Sequence, residues 1–204
     1  MVKTGHSGVV RATHWIITVC FLSLLVSGIE IVISHPRFYW GEAGNVTMTP
    51  LFTLPIPASR GTVPTGFGFV LPDQNGWSRG LHFQAAWVVG FTALVYGVAG
   101  FVSGHFGRDL FGRAGRYGKL QRLTYAVVIV GLFPLMIWTG LAMAPGMTAA
   151  FPWVVTILGG QQSARTIHFA VTGLLVAFVA GHVAMVAKNG FVRLTRAMIT
   201  GGEV

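Results

Sequence analysis

Residues 166–187 read TIHFAVTGLLVAFVAGHVAMVA, an apolar run interrupted by His168 and His182. An ionisable side chain inside an apolar span is costly and marks a working site. Fourteen positions separate the two histidines. At about 100° per residue this is a net turn of roughly −40°, so both face nearly the same way on a helix. At about 1.5 Å per residue they stand ~21 Å apart along its axis. One helix therefore offers an imidazole towards each membrane surface.

The rest of the chain supports a membrane reading. Of 204 residues, 53% are hydrophobic and 9% charged. Soluble domains carry far more charge, about 25% of their residues. Four segments are long enough to cross ~30 Å of hydrocarbon: about 15–33, 81–103, 123–145 and 166–187. They predict an all-α membrane protein, a four-helix bundle forming a single domain over 1–204. The first segment is too long for a signal-peptide core, and Ser34-His35-Pro36 is not a small-residue cleavage site. It reads as a retained anchor.

The formal charge of +9 is first a topology signal. No basic stripe interleaved with aromatics suggests nucleic acid. Ten of the fourteen Lys and Arg lie before span one, between spans two and three, or after span four. That side is predicted cytoplasmic, with both termini inside. Arg37, Arg60, Arg79 and Arg165 occupy the other two connections, which face the periplasm. Residues 34–80 form a long periplasmic connection with six prolines and several aromatics. A loop of this length is functional or disordered; its aromatics argue for order, with a short surface helix as one form of it. The lone Cys20 permits no internal disulfide, and no Cys-x-x-Cys-His haem attachment occurs.

On this topology the histidines pair by depth. His14 opens span one and His182 closes span four, both at the cytoplasmic side. His82 opens span two and His168 opens span four, both at the periplasmic side. Two imidazoles from facing helices suit the two axial positions of an electron-transfer haem. Zinc would ask for three or four close ligands, and each depth offers two histidines. The spacing therefore predicts two non-covalent bis-histidine haems b, on His14 with His182 and on His82 with His168. His6 and His35 read as interfacial or loop residues. Arg11, Arg79 and Arg165 each stand three residues before a ligand histidine, where a guanidinium can bind a haem propionate or simply anchor the interface. Glycines 28, 90, 97, 100, 131, 140, 173 and 181 can admit a flat macrocycle or merely pack helices. Pro134 is expected to kink span three.

With these residues in view, the chain resembles the prokaryotic di-haem cytochrome b family. That family includes bacterial cytochrome b561 and the cytochrome b subunits of nickel hydrogenases, formate dehydrogenases and thiosulfate reductases. The resemblance rests on Arg11-Ala-Thr-His14-Trp15, on Ser27-Gly28, on His82, and on His168 with His182. It implies two stacked haems carrying electrons across the bacterial inner membrane, with quinone near the inner one and a periplasmic partner at the outer one. The long loop, with Phe38-Tyr39-Trp40-Gly41-Glu42, resembles variants that accompany a molybdenum-cofactor oxidoreductase.

The leading expectation is thus electron transfer between the quinone pool and such a partner. His105, Arg108 and Asp109, leaving span two on the cytoplasmic side, are the quinone-site candidates, since a quinone needs a donor and a proton route. Glu30 could relay protons near the outer end of span one. Two rivals remain: a stand-alone quinone oxidoreductase acting on superoxide steered by the outer arginines, and a transporter whose histidines relay protons or carry metal.

Overall fold

The computed structural model describes residues 6–45, 47–56, 75–104, 106–107 and 119–202. His105, Arg108 and Asp109, the quinone-site candidates, lie outside the described residues, as does Arg60.

The described chain is almost wholly helical. Helix α1 spans Gly8–Ser34. The Ser7 hydroxyl accepts from the Val10 amide at 3.3 Å, which caps the start of the helix. The helix ends where Pro36 restricts the residue before it. Helix α2 spans Asn75–Val102. It closes on Gly104, whose φ of 65° is positive, as a helix C-terminus favours. The third apolar run is α3 (Lys119–Ala126), a π-helical stretch (Val127–Leu132) and α4 (Phe133–Ala142). The widened turns lie immediately before Pro134. Proline offers no N–H and crowds the carbonyl four residues back, and a π-bulge is one way a helix accommodates such a mismatch. Short helices α5 (Pro145–Ala150) and α6 (Trp153–Thr156) follow. Pro145 takes the first helical position of α5, where its missing N–H costs nothing. Helix α7 spans Gln161–Lys188, and α8 spans Phe191–Thr200.

Among the described residues, four helical stretches are long and apolar enough to cross a membrane: Gly8–Ser34, Gly76–Val102, Leu123–Ala142 and Gln161–Lys188. A helix the length of α7, 28 residues, is about 42 Å long, more than the ~30 Å of hydrocarbon, so its ends reach the headgroups. Val19, Leu22, Phe91, Leu94 and Val98 are exposed along these helices. Lipid tails are as apolar as such side chains, so membrane helices carry apolar surface outwards.

The contacts divide into two compact units. Unit 1 holds residues 1–19, 89–133 and 172–204; unit 2 holds 20–88 and 134–171. In unit 1, α8 is clipped to the first turns of α1. Arg11 Nη1 donates to the Ile199 carbonyl at 2.8 Å and Trp15 Nε1 to that of Met198 at 3.2 Å. Gly190 and Gly201 bound α8 with φ of 110° and 80°.

In unit 2, Ala142, Val154, Val155 and Ala164 form a small core, joined by Trp138, whose indole donates to the Val154 carbonyl at 2.9 Å. Within the described part of the long connection lies an antiparallel pair of two-residue strands, β1 (Arg37–Phe38) and β2 (Phe52–Thr53), with Phe38 opposite Phe52. Among the described residues of the connection, the aromatics at 38 and 52 are ordered in this strand pair. Phe38 is 1% exposed. It packs against both Phe52 and Phe169, at ring-centroid distances of 4.7 and 4.5 Å, and those two rings stand 6.0 Å from each other.

Candidate haem-binding site

Each unit contains one of the histidine pairs. In unit 1, the rings of His14 on α1 and His182 on α7 have centroids 6.4 Å apart and planes inclined by 58°. In unit 2, His82 on α2 and His168 on α7 stand at 6.2 Å and 61°. A metal–imidazole bond of about 2 Å, with about 1.1 Å more to the ring centre, puts two opposed axial imidazoles about 6.3 Å apart. Both pairs match that separation. Among the described residues no cluster of three or more His, Cys, Asp or Glu could hold a metal ion, so a zinc centre lacks ligands. The donor sets fit a haem and do not fit a bare ion.

The surroundings of the unit 2 pair are detailed. Thr139 Oγ1 lies 2.8 Å from His168 Nδ1, and Ser27 Oγ lies 3.0 Å from His82 Nδ1. Both hydroxyls are fully buried. Each residue is followed by a glycine against which the same imidazole rests. A Cβ on Gly28 would meet His82 Cε1 at 3.6 Å, and one on Gly140 would meet His168 Cε1 at 3.7 Å. A single carbon fits there in ordinary van der Waals contact; a longer side chain would crowd the imidazole edge. Ser27-Gly28 stood out in the sequence as part of the family resemblance and Thr139-Gly140 did not. The hydroxyl–glycine dipeptide alone does not single them out, since Thr172-Gly173 on α7 repeats it.

Around the unit 1 pair the contacts are aromatic. Trp15 meets His14 edge-on at 5.3 Å. Phe178, one turn before His182, stacks on it at 6.1 Å, and Tyr125 meets Phe178 edge-on at 6.0 Å. His14 Nδ1 is buried with no hydrogen-bond partner, as is Arg11 Nε. A buried donor without an acceptor is expensive. An unmatched Arg11 Nε–H beside a candidate haem ligand fits a guanidinium that meets a propionate, while its Nη1 holds α8.

The other two arginines are placed differently. Arg79 is exposed on α2. Arg165 turns to the hairpin: Nη1 donates to the Arg37 carbonyl at 3.1 Å, Nη2 to the His35 carbonyl, and the guanidinium covers the Phe38 ring at 4.8 Å. Its visible work is to hold the loop. Glu30 is half-buried on α1.

That loop is stitched to the start of α7 in several places. The Gly41 carbonyl accepts from the amides of Gln162 (2.9 Å) and Ser163 (3.2 Å), and the Ser163 hydroxyl accepts from the Gly41 amide at 2.7 Å. The Glu42 carboxylate receives the Gln161 amide at 3.3 Å. Thr166 donates to the Tyr39 carbonyl at 2.7 Å. The amides at a helix N-terminus have no partner within the helix; here the loop supplies several of them. Gly160 makes the approach possible: its φ is 114°, and a Cβ there would lie 2.6 Å from the Gly41 and Glu42 backbone. The turn of helix so held leads directly to His168.

Comparison with known proteins agrees with this architecture. A putative protein-methionine-sulfoxide reductase subunit, YedZ1 of Azospira oryzae, is 28% identical over 89% of each chain. The family model described as prokaryotic cytochrome b561 matches residues 5–201, nearly the whole chain. With four apolar helices and paired imidazoles between them, the chain is a membrane protein for haem-based electron transfer and belongs to the prokaryotic cytochrome b561 family.

Proposed function

We propose that this cytochrome holds two b haems, one between His14 and His182 and one between His82 and His168, and carries electrons between membrane quinone and a separate oxidoreductase at the periplasmic face. The observation that carries the reading is the pair of imidazole separations, 6.4 and 6.2 Å, each without a third ligand of zinc type among the described residues. Held between two imidazoles, a haem would supply reversible one-electron transfer with no position open to oxygen.

The chain's own residues do the rest. The four histidines orient the two groups, and α7, which bears one ligand of each pair, ties them to a single element. Arg11 offers a buried guanidinium N–H to a propionate. The apolar helices exclude water and so keep the reorganisation accompanying electron transfer small. The hairpin of β1 and β2 gives the His168 end a rigid polypeptide cover.

The distribution of Lys and Arg supports a cytoplasmic side for His14 and His182 and an inner bacterial membrane. The relative's printed name supports a partner that reduces oxidised methionine; that reaction takes two electrons and two protons per sulfoxide and releases water. A molybdenum-cofactor subunit would accept the electrons one at a time and deliver them in pairs. The superoxide alternative gains less support: of the four arginines proposed to steer the anion, Arg165 is engaged with the hairpin backbone.

The test is haem stoichiometry with spectroscopy on the purified protein. Wild type is expected to hold two haems per chain with bis-imidazole spectra. His168→Ala and His82→Ala should each remove the same haem, and His14→Ala and His182→Ala the other. A variant pair that removes different haems, or a wild type with one haem, would overturn the assignment.

A further inference from the structure

The hydroxyls of Ser27 and Thr139 are fully buried among apolar helices, and haem ligation by itself gives them no role. A serine or threonine within a helix commonly bonds back to the carbonyl four residues earlier, and both do: Ser27 Oγ donates to the Ser23 carbonyl at 2.7 Å, and Thr139 Oγ1 to that of Leu135 at 2.9 Å. A hydroxyl has one proton. With that proton on a carbonyl, each oxygen can only accept at its other contact. The other contact is a histidine Nδ1, at 3.0 Å for His82 and 2.8 Å for His168. In that arrangement both imidazoles are Nδ1–H tautomers with the lone pair on Nε2, and each ring also has a hydrogen bond to a backbone carbonyl, of Leu24 for His82 and of Met136 for His168.

The same device thus appears twice, from two different helices, on the two histidines of one pair. It is not a general property of histidines in this chain, since the buried Nδ1 of His14 has no partner. An acceptor on the remote N–H of a metal-bound imidazole fixes the tautomer and raises the basicity of the ligating nitrogen. A more basic ligand favours ferric over ferrous iron.

We infer that Ser27 and Thr139 are positioning residues that set the axial tautomer and hold down the reduction potential of the haem between His82 and His168. This rests on the reading that those two histidines ligate a haem. The two residues act through the imidazoles.

The experiment uses the purified full-length protein with Ser27→Ala, Thr139→Val and Thr139→Ser. Haem content is read from the reduced-minus-oxidised spectrum, and each midpoint from a potentiometric titration followed optically and by low-spin EPR. Ser27→Ala and Thr139→Val are each expected to shift the ferric–ferrous equilibrium of that haem three- to tenfold towards ferrous. At about 59 mV per decade for one electron this is a rise of about 30–60 mV. The midpoint of the His14/His182 haem should stay where it is, and Thr139→Ser, which keeps the hydroxyl, should resemble wild type. If both deletions keep their haem with unchanged midpoints, or if Thr139→Ser shifts as much as Thr139→Val, the inference is wrong. Should Thr139→Val or Ser27→Ala lose the haem, retention by Thr139→Ser supports the hydroxyl's role, and loss there too overturns it. His82→Ala is the separate control: if it leaves haem content unchanged, ligation itself fails, and that outcome is distinct from an unmoved midpoint.

Discussion

Replacing Arg165 by methionine should loosen the hairpin while keeping most of the side chain's apolar stem. The substitution removes two charge-assisted hydrogen bonds, to the Arg37 and His35 carbonyls, and the cover over Phe38. Hydrogen bonds to a charged group are worth about 1.5–3 kcal/mol each and an exposed cation–π contact about 0.5–1 kcal/mol. Arg165 is half-buried, so the lower ends apply, and Ser163, Thr166 and Glu42 still hold the segment. We expect local opening to become easier by about 2–4 kcal/mol, or roughly 30- to 1,000-fold in exchange rate. The informative amides are Gly41, bonded to Ser163 Oγ, and Leu51 and Leu54, bonded to the carbonyls of Phe38 and Pro36. Hydrogen exchange with mass spectrometry, on protein in nanodiscs, reads them directly. Amides elsewhere on α7 should exchange as before. Unchanged exchange at Gly41, Leu51 and Leu54, together with an altered haem midpoint, would refute this account and assign Arg165 to a propionate instead.

Gly160→Ala places a Cβ 2.6 Å from the Gly41 and Glu42 backbone at a φ of 114°. Strain of this kind costs about 1–3 kcal/mol, so the midpoint of thermal unfolding should fall and protease access to the hairpin should rise. Under the proposed ligation, Gly140→Leu or Gly28→Leu should cost one haem per chain without loss of helical circular dichroism, because the added side chain crowds the edge of His168 or His82. Trp15→Phe removes the indole bond to the Met198 carbonyl. It should release α8 by about 1 kcal/mol, seen as faster exchange over residues 191–200 with the four apolar helices unaffected.

The parts legible in the sequence are those where composition and cost coincide. His14, His82, His168 and His182 stand out because apolar spans tolerate so little polarity, and their spacing converts directly into facing and depth. Pro134 likewise announces a disturbed helix, though not that the disturbance is a π-helical stretch before it. The contact made by Ser27, and Thr139 altogether, were hidden by the opposite logic. A hydroxyl on an apolar helix satisfies itself on its own backbone, so nothing in the sequence distinguishes one that also meets a ligand. The hairpin was hidden because two-residue strands have no periodicity to read. Its shape is imposed by α7, whose residues lie far along the chain. Arg165 shows the limit of spacing arguments, since a position three residues before a ligand is compatible with the propionate and with the loop, and contacts decide between them.

The stitches between the hairpin and α7 link residues 119 to 130 positions apart. During synthesis, residues 35–42 are made long before Gln161 and must wait for the last long helix before they find their partners. Closing so long a loop carries an entropic cost that grows only slowly with length, but it delays the contact. His168 and His182 both arrive with that same helix. The stitches at Gly41 and Glu42 and the partners of His14 and His82 are therefore completed in one late event, so a chain truncated or stalled before α7 has neither. Under the proposed ligation such a chain would hold no haem between two histidines, and a half-made cytochrome would not conduct electrons.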